Sequence, residues 1–446
     1  MKKILIANRG EIASRIIETC QKMQIETIAI YSDADQDLPY VKAADYSFRI
    51  GEAPVAKSYL LADDILDLAV REGADAIHPG YGFLSENSEF VKKTEQRGLV
   101  FIGPPSSVIE KMGDKVTARK TMQEAGIPVV PGSGFAIGTV DEAAVIAERI
   151  GYPVMLKASG GGGGIGMQLL ESREDLEKVF VSAKTRAKAY FGNDEVFLEK
   201  YISESRHIEV QIFGDDHGHA VHLFERECSV QRRNQKVIEE APSPSISEET
   251  RRNICGAAVK AALHVGYRNA GTVEFIMDEK EQFYFLEMNT RLQVEHRVTE
   301  MITSLDLVKW QILAADGKVL PLSQSEIRKL GHALEFRIYA EDPVRFIPSP
   351  GKLNAFTYPE HADFVLDRTY EEGNQITPFY DPLIAKAVVY GENRDKALEK
   401  ASEVFENVRI EGVKSNVPLF SKIVKDDVFK SGQYNTSYLQ QSKIVG

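Results

Sequence analysis

The N-terminal quarter of the chain alternates short apolar runs with amphipathic stretches. Buried-strand patterns occur in KKILIAN, ETIAIYSD, ADAIHPG and GLVFIGP, and helical patterns occur in RGEIASRIIETCQKM and LLADDILDLAVREG. Strands that alternate with helices predict a doubly wound parallel sheet over residues 1–112. Such sheets bind ligands at the carboxyl ends of their strands, so NRGE and HPGYGFLSEN, residues 78–87, are candidate site loops.

The rest of the chain mixes strands and helices in a less regular order. After the helix DKVTARKTMQEAG, the prolines and glycines of IPVVPGSG predict a hinge near residues 127–134. The patterns that follow predict a small α+β subdomain over 131–203, inside a central unit over 113–328 that continues with the strands HIEVQIFGD, AVHLFERECSV, GTVEFIMD and QFYFLEMN. The tail, 329–446, is predicted to be an α+β domain, with HALEFRIYAEDP and the helical NRDKALEKASEVFENV.

Composition narrows the class of protein. Hydrophobic residues make up 43% and charged residues 27% of the 446 positions, as in ordinary globular proteins. The net charge of −12 argues against a general nucleic-acid binder. The sequence has no apolar run of the ~18–20 residues that a membrane span needs, and its N-terminus does not resemble a secretory signal. The scattered Cys20, Cys228 and Cys255 fit a reducing compartment, so we expect a cytoplasmic protein.

The strongest local motif is LKASGGGGGIGM, in which five glycines occupy positions 160–164 between two strands. Glycine lets backbone amides approach a ligand closely, so the run predicts a nest for phosphates, and Lys157 adds a positive charge. The motif is neither a P-loop nor a dinucleotide-binding fingerprint, because no Gly-Lys-Ser/Thr follows and the chain returns to a strand. We interpret it as a mobile lid over a nucleotide, and the alternative is a flexible linker.

The strand pair TVEFIMDEKEQFYFLEMN carries the next candidate site. A turn centred on Lys280–Glu281 puts Glu274 directly opposite Glu287, and alternation directs Glu287 and Asn289 to the same face. Two opposed carboxylates destabilise a hairpin unless a cation lies between them. Carboxylate and amide oxygens suit Mg²⁺ or Mn²⁺ shared with phosphates. The alternative is a solvated edge strand.

The segment that follows, TRLQVEHR, suggests an anion site. Arg291 has the fork geometry to hold a small planar oxyanion, and Glu295 is a candidate general base. His296, taken alone, is more often a structural residue. The basic segment QRRNQK, 231–236, lies in an otherwise acidic chain and is either part of such a site or a solvated patch.

Several of these motifs together resemble a known family. KASGGGGGIGM, EVFLEKYI, HIEVQ, GTVEF and LEMNTRLQVEH resemble the ATP-grasp fold, and with ANRGEIA, HPGYGFLSEN, MGDK and SPGK the whole chain resembles the biotin carboxylases. The resemblance implies an N-terminal domain before the ATP-grasp domain, an ATP-grasp domain with its lid, and a C-terminal biotin carboxylase domain. It implies ATP, Mg²⁺ or Mn²⁺, bicarbonate and biotin as reactants or cofactors. In that family ATP phosphorylates bicarbonate to carboxyphosphate, and this species, or CO₂ released from it, carboxylates N1′ of biotin.

The resemblance also implies a role for individual residues. These are Lys115, Lys157, Gly163 and Gly164 for the phosphates; Glu199, Lys200, Tyr201 and Ile202 for adenine; His207, Gln231 and Asn234 as further nucleotide contacts; Glu274, Glu287 and Asn289 for metal; Lys236, Arg291 and the backbone of Val294 for bicarbonate; Glu295 as the base; Arg337 for the biotin enolate; and Gln293 and Tyr81 as further substrate contacts.

Five positions depart from the usual family pattern. Asn234 replaces a histidine, Ile165 stands where a basic residue usually follows the glycines, and Arg297 replaces a proline. Phe336 and Tyr339 differ from the residues that usually surround Arg337. We expect the chemistry to be kept and the nucleotide affinity or the biotin-side pocket to differ.

The resemblance further implies separate partners. The sequence has no AMKM-type biotinyl-lysine motif, so we expect a separate biotin carboxyl carrier protein, separate carboxyltransferase subunits, and a homodimer in an acetyl-CoA carboxylase of fatty acid biosynthesis. One alternative is an ATP-grasp ligase that makes another acyl or carbamoyl phosphate, against which Arg337 and HPGYGFLSEN argue. The other is a non-catalytic nucleotide-binding regulator, against which the retained Glu274, Glu287, Arg291 and Glu295 argue.

Overall fold

The computed structural model describes residues 1–160, 166–442 and 444. The elements of its N-terminal unit are β1 (Lys3–Ile6), α1 (Gly10–Lys22), β2 (Glu26–Ser32), α2 (Pro39–Ala43), β3 (Tyr46–Gly51), α3 (Ala62–Arg71), β4 (Ala76–His78), α4 (Ser88–Gln96), β5 (Val100–Phe101) and α5 (Ser106–Gly113). The strands form a parallel sheet in the order β3-β2-β1-β4-β5. The predicted doubly wound parallel sheet is confirmed.

The two candidate site loops of this sheet lie side by side. One follows β1 and the other follows β4, and these strands are neighbours in the sheet. The side-chain amide of Asn8 donates hydrogen bonds to the backbone oxygens of Pro79 and Tyr81, each at 2.7 Å. Both loops therefore meet at the carboxyl edge of the sheet, where the topology of such folds brings ligand-binding loops together.

A helix and a small subdomain follow. Their elements are α6 (Lys115–Glu124), α7 (Val140–Ile150), β6 (Val154–Ala158), β7 (Met167–Leu170), α8 (Arg173–Phe191) and β8 (Val196–Lys200). The strands form an antiparallel sheet in the order β7-β6-β8. Leu156, Phe180 and Leu198 belong to a hydrophobic cluster that this subdomain does not share with the rest of the protein. The subdomain therefore has a core of its own.

The remaining elements build one large sheet and the helices that cover it. They are β9 (Arg206–Gly214), β10 (Ala220–Arg232), β11 (Gln235–Ala241), α9 (Glu248–Val265), β12 (Asn269–Met277), β13 (Phe283–Asn289), α10 (His296–Thr303), α11 (Leu307–Ala315), β14 (His332–Tyr339), β15 (Gly351–Lys352), β16 (Ala355–Thr357), β17 (Phe364–Arg368), β18 (Gln375–Ile376), β19 (Leu383–Gly391), α12 (Arg394–Asn407), β20 (Arg409–Glu411), α13 (Val417–Ile423), α14 (Asp427–Ser431) and α15 (Tyr438–Gln441).

The large sheet joins the central and C-terminal parts of the chain. Its order is β13-β12-β9-β10-β11-β14-β19-β17, with antiparallel neighbours throughout. The sheet therefore crosses the predicted domain boundary at residue 329, because β14 pairs directly with β11. Within the ranges described above, no helix has both the length and the apolar character that crossing a membrane requires.

The hairpin between β12 and β13 pairs Glu274 with Glu287, as the sequence predicts, although the turn centre and the register next to the turn differ from the prediction. The turn is centred on Lys280 rather than between Lys280 and Glu281, which shifts the register near the turn by one residue. A β-bulge at Leu286 adds one residue to β13 and restores the predicted pairing. The extra residue reverses the phase of the alternation, so Phe285 and Met288 are both buried although they are three positions apart.

Candidate active site

A cavity of ≈ 850 Å³ lies between the small subdomain, the large sheet and the start of α6. The predicted residues that line it are Lys115, Lys157, Glu199, Lys200, Tyr201, Ile202, His207, Gln231, Asn234, Lys236, Glu274, Glu287, Asn289, Arg291, Gln293, Val294, Glu295 and Arg337. Of the predicted residues that the structure describes, only Tyr81 is absent from this lining. Gly163 and Gly164, together with Ile165, lie outside the described residues.

Lys115 enters the cavity from the first turn of α6. Asp114 caps this helix, since its Oδ1 accepts a hydrogen bond from the Thr117 N–H at 2.7 Å. The other oxygen of Asp114 accepts from the hydroxyl of Ser159 at 2.8 Å, beside the glycine run. Lys115 Nζ donates to Glu287 Oε2 at 2.8 Å. Burial opposes its charge, but Glu287 raises the pKa of Lys115, so an ammonium group faces the cavity.

On the other side of the cavity, the carboxylate of Glu199 binds two cationic side chains. The side chains of Lys157 and Arg119 both donate hydrogen bonds to its carboxylate. Although burial favours the neutral acid, these cations lower the pKa of Glu199. Lys200 points to the backbone instead and donates to the carbonyl of Gly151 at 2.8 Å. The C-terminal end of β8, which the resemblance assigns to adenine, is thus held by the side chains of two adjacent residues.

The carboxylate of Glu274 accepts hydrogen bonds from several side chains. Its Oε1 accepts from Lys236 Nζ at 2.9 Å, Asn289 Nδ2 at 2.9 Å and Gln293 Nε2 at 2.8 Å. Its Oε2 lies 2.9 Å from His207 Nε2. Burial alone would raise the pKa of Glu274, but Lys236 and His207 hold it well below its usual range. The group is therefore an ionised carboxylate.

The carboxylates of Glu274 and Glu287 and the amide of Asn289 fit a hard divalent cation. Strand pairing sets the two carboxylates directly opposite each other, and like charges so placed repel unless a cation neutralises them. Lys236 and Lys115 supply that positive charge in the structure. Oxygen donors of this kind suit Mg²⁺ or Mn²⁺.

Lys236 contacts three carboxylates at once. Its Nζ lies 2.5 Å from Glu209, 2.9 Å from Glu274 and 2.7 Å from Glu295. Burial opposes the charge of Lys236, yet these carboxylates hold its pKa well above the usual range. Sequence reasoning missed Glu209, which is fully buried and also pairs with Arg226 at 2.5 Å. The available signal was a glutamate inside the apolar strand HIEVQ, directly opposite Glu274 on β12.

Glu295 lies between two cations. Its Oε1 is 2.7 Å from Lys236 Nζ and its Oε2 is 2.9 Å from Arg337 Nη2. The side chain is 2% exposed, and burial would favour the protonated acid. Lys236, Arg337 and Arg226 nevertheless hold the pKa of Glu295 well below its usual range, so the carboxylate is ionised. Arg337 also pairs with the buried Glu239.

Arg291 connects the site to the N-terminal unit. Its Nε donates to Glu86 Oε2 at 2.9 Å, and its Nη2 donates to Asn289 Oδ1 at 3.0 Å. Glu86 belongs to the HPGYGFLSEN loop and also accepts from the Thr290 N–H at 2.9 Å. Sequence reasoning named this loop as a candidate but did not single out Glu86. The loop thus orients the guanidinium that the cavity presents to a ligand.

Three family models cover most of the chain. The model described as biotin carboxylase, N-terminal domain matches residues 1–109, and the biotin carboxylase C-terminal domain matches residues 335–441. Between them, the ATP-binding domain of the carbamoyl-phosphate synthase L chain matches residues 114–323. The predicted three-part architecture agrees with these matches.

Relatives match over the full length of the chain. A biotin carboxylase of Halalkalibacterium halodurans is 53% identical, over 98% of this chain and 97% of that protein. The mitochondrial methylcrotonoyl-CoA carboxylase subunit alpha of Arabidopsis thaliana is 51% identical, over 99% of this chain and 61% of that protein. A crystal structure of the biotin carboxylase domain dimer of Hydrogenobacter thermophilus 2-oxoglutarate carboxylase, with MgADP, ADP and bicarbonate, aligns with a TM-score of 0.97 and 47% identity, covering 100% of this chain and 98% of that one.

Proposed function

The chain belongs to the biotin carboxylase family, and we propose that it uses ATP and bicarbonate to carboxylate N1′ of biotin carried on a separate protein. One observation carries the assignment of roles. Glu295, the proposed base, lies in the same cavity as the Glu274–Glu287 pair and contacts both Lys236 and Arg337. A proton acceptor, an anion site and an oxygen-rich metal site thus adjoin one another.

On the bicarbonate side, Lys236 and Arg291 bind the anion. Glu295 takes the bicarbonate proton on its carboxylate, and the resulting carbonate is a stronger nucleophile toward the γ-phosphorus of ATP. Binding of the anion to Lys236 draws positive charge away from Glu295 and so raises its proton affinity. The low pKa of Glu295 without substrate keeps the base deprotonated until bicarbonate arrives.

On the nucleotide side, Lys115 and Lys157 offset the charge of the phosphates. Glu274, Glu287 and Asn289 would hold Mg²⁺ or Mn²⁺, which neutralises phosphate charge in the transition state when bound. The strand Glu199–Ile202 and His207 contact the rest of the nucleotide. Lys115 donates to Glu287 in the structure, and it would be released to bind a phosphate oxygen if Glu287 held the cation.

On the biotin side, Arg337 stabilises the enolate that forms when N1′ becomes nucleophilic. Its side chain already faces carboxylate oxygens of Glu295 and Glu239, so it is oriented to bind an oxyanion. N1′ attacks the carboxyl carbon of carboxyphosphate, or the carbon of the CO₂ released from it. The N–C bond forms, the C–O bond of carboxyphosphate breaks, and the phosphate that leaves takes up the N1′ proton.

Partners and context extend the proposal. A biotin carboxyl carrier protein delivers biotin, carboxyltransferase subunits use the carboxyl group, and the protein acts as a cytoplasmic homodimer, as supported by the dimeric Hydrogenobacter thermophilus relative. Acetyl-CoA is the proposed acceptor, in fatty acid biosynthesis. Relatives of this chain occur in carboxylases named for other acceptors.

The proposal is tested by ADP release from Mg-ATP with bicarbonate, measured with and without free biotin. We expect bicarbonate to be required and biotin to accelerate the release. A rate that biotin does not change would favour another ATP-grasp ligase. The absence of ADP release with every substrate would favour a nucleotide-binding regulator.

A further inference from the structure

The residues before α10 present two consecutive peptide groups to the cavity. Gln293, Val294 and Glu295 all line it. The carbonyl of Gln293 accepts hydrogen bonds from His296 Nδ1 at 2.8 Å and from the His296 N–H at 3.3 Å. The carbonyl of Val294 accepts from Lys386 Nζ at 2.8 Å. His296 and Lys386 are both fully buried, so each carbonyl is held from the interior of the protein.

The geometry of the peptide group fixes where the matching N–H groups point. Both peptide bonds are trans, and a trans peptide directs its C=O and N–H to opposite sides. The Val294 N–H shares a peptide with the Gln293 carbonyl, and the Glu295 N–H shares one with the Val294 carbonyl. Both N–H groups therefore point away from His296 and Lys386, toward the cavity. Neither donates to a protein acceptor in the part of the chain that the structure describes.

We propose that His296 and Lys386 are positioning residues that orient the N–H groups of Val294 and Glu295 as donors to bicarbonate. The proposal rests on the proposed function of this cavity. An ammonium group that binds a carbonyl also polarises the peptide, which makes its N–H a stronger donor. Neither side chain touches the anion, and both act through the backbone.

The position of Lys386 is determined by charges from three segments. Its Nζ lies 3.2 Å from Glu11 in α1 and 3.6 Å from Asp367 in β17. Arg297 in turn donates to both oxygens of Asp367, each at 2.7 Å. Burial opposes the charge of Lys386, but Glu11, Glu335 and Asp367 raise its pKa. The ammonium group is therefore present and has little freedom to leave the Val294 carbonyl.

The ring of His296 has only one protonation state that fits its surroundings. Burial and the charges of Lys386, Arg15 and Arg297 hold the pKa of His296 well below its usual range, so the ring is neutral. A carbonyl only accepts hydrogen bonds, so the proton lies on Nδ1. Nε2 has no hydrogen-bond partner among the described residues.

Substitutions of His296 separate positioning from mere packing. His296→Leu removes the donor, whereas His296→Asn keeps an N–H close to the position of Nδ1. We expect His296→Leu to raise the KM for bicarbonate about tenfold, or about 1.4 kcal/mol, with an unchanged KM for ATP. His296→Asn should restore the KM for bicarbonate to within about twofold of the wild type. Parallel increases in both KM values, or no rescue by asparagine, would overturn the proposal.

Substitution of Lys386 tests the second peptide. Lys386→Met combined with Glu11→Gln removes the donor without leaving Glu11 as an unpaired carboxylate, and we expect a similar selective rise in the KM for bicarbonate. A KM within about twofold of the wild type would overturn the role of Lys386.

Where these variants do not fold, ¹⁵N NMR of the wild-type His296 ring decides, because a proton on Nε2 or a charged ring contradicts the proposal. A wild-type protein without bicarbonate-dependent ADP release would instead refute the proposed function.

Discussion

Arg337 Nη2 lies 2.9 Å from Glu295 Oε2, so the residue proposed to stabilise the biotin enolate contacts the residue proposed to deprotonate bicarbonate. The two meet because β14 brings Arg337 into the large sheet beside the loop that precedes α10. Each neutralises the other in a buried setting. A ligand that draws Arg337 away therefore raises the proton affinity of Glu295. One ion pair thus couples the deprotonation of bicarbonate to the stabilisation of the biotin enolate.

Substitution of Arg337 separates its role toward biotin from the role of Glu295 toward bicarbonate. Arg337→Met removes the group proposed to stabilise the enolate, and we expect biotin-stimulated ADP release to fall by roughly 10²–10³-fold. The slower bicarbonate-dependent release without biotin should persist, because Lys236 still contacts Glu295. The exposed Arg345→Met is the matched control. Equal loss of both rates would contradict the assignment of Arg337 to the biotin side.

Substitution of Glu295 tests the base. Glu295→Gln keeps the size of the side chain but cannot accept the bicarbonate proton, so we expect turnover to fall by about 10²–10⁴-fold. ATP affinity, measured by calorimetry, should change little, because the proposed nucleotide contacts lie elsewhere in the cavity. Glu249→Gln, on the exposed first turn of α9, is the control. Near-normal turnover of Glu295→Gln would refute the assigned role.

The metal site predicts a selective change in Mg²⁺ dependence. Glu287→Gln removes one of the two opposed carboxylates, so we expect the Mg²⁺ concentration for half-maximal ADP release to rise about tenfold or more. Lys115 also loses its partner, and metal-free nucleotide should bind at least as well as to the wild type. Titrations with Mg²⁺ at saturating ATP measure the first effect. An unchanged Mg²⁺ requirement would exclude Glu287 as a ligand.

A buried acid outside the cavity predicts a pH-dependent stability. Burial raises the pKa of Glu227 to about 7, although the hydroxyls of Ser229, Ser243 and Ser245 donate to it. The folded protein therefore keeps a proton that the unfolded chain loses above its ordinary pKa of 4.5. The contribution of protonated Glu227 to the free energy of unfolding is fully present below pH 4.5 and is lost as the pH rises through about 7.

Glu227→Gln removes this proton linkage. We expect the variant to match the wild type near the unfolded-state pKa and to be more stable, by on the order of 3 kcal/mol, above the folded-state pKa. Urea unfolding at both pH values measures the difference, with Glu249→Gln again as the control. The same difference in stability at the two pH values would show that folding does not change the pKa of Glu227.

Local patterns predicted most strands and helices around the N-terminal sheet, because hydrophobic period is a local property, but β3 and α9 were not predicted. The Glu274–Glu287 pair was predicted from a different turn centre, and it forms because the bulge at Leu286 compensates for that difference. Contacts between distant segments were not predictable in this way. Glu86 and Arg291 are 205 positions apart, and only the packing of the N-terminal loop against β13 makes them partners.

Three of the five departures from the family pattern have a physical explanation in the structure, whereas Ile165 lies outside the described residues and the replacement at Tyr339 has no structural explanation. Asn234 lies in the two-residue turn between β10 and β11, where it and Arg233 both have positive φ, a backbone conformation that asparagine tolerates well. Arg297 holds Asp367 and Glu300. Phe336 packs edge-to-face on Phe405 in the core.

Transfer of the carboxyl group from bicarbonate to biotin can be followed with an isotope label. The purified protein is incubated with Mg-ATP, free biotin and ¹⁴C-bicarbonate, and the label in carboxybiotin is compared with the ADP released. We predict label in biotin that requires ATP and disappears in Glu295→Gln. ADP release that depends on bicarbonate but leaves biotin unlabelled would show that the protein does not carboxylate biotin.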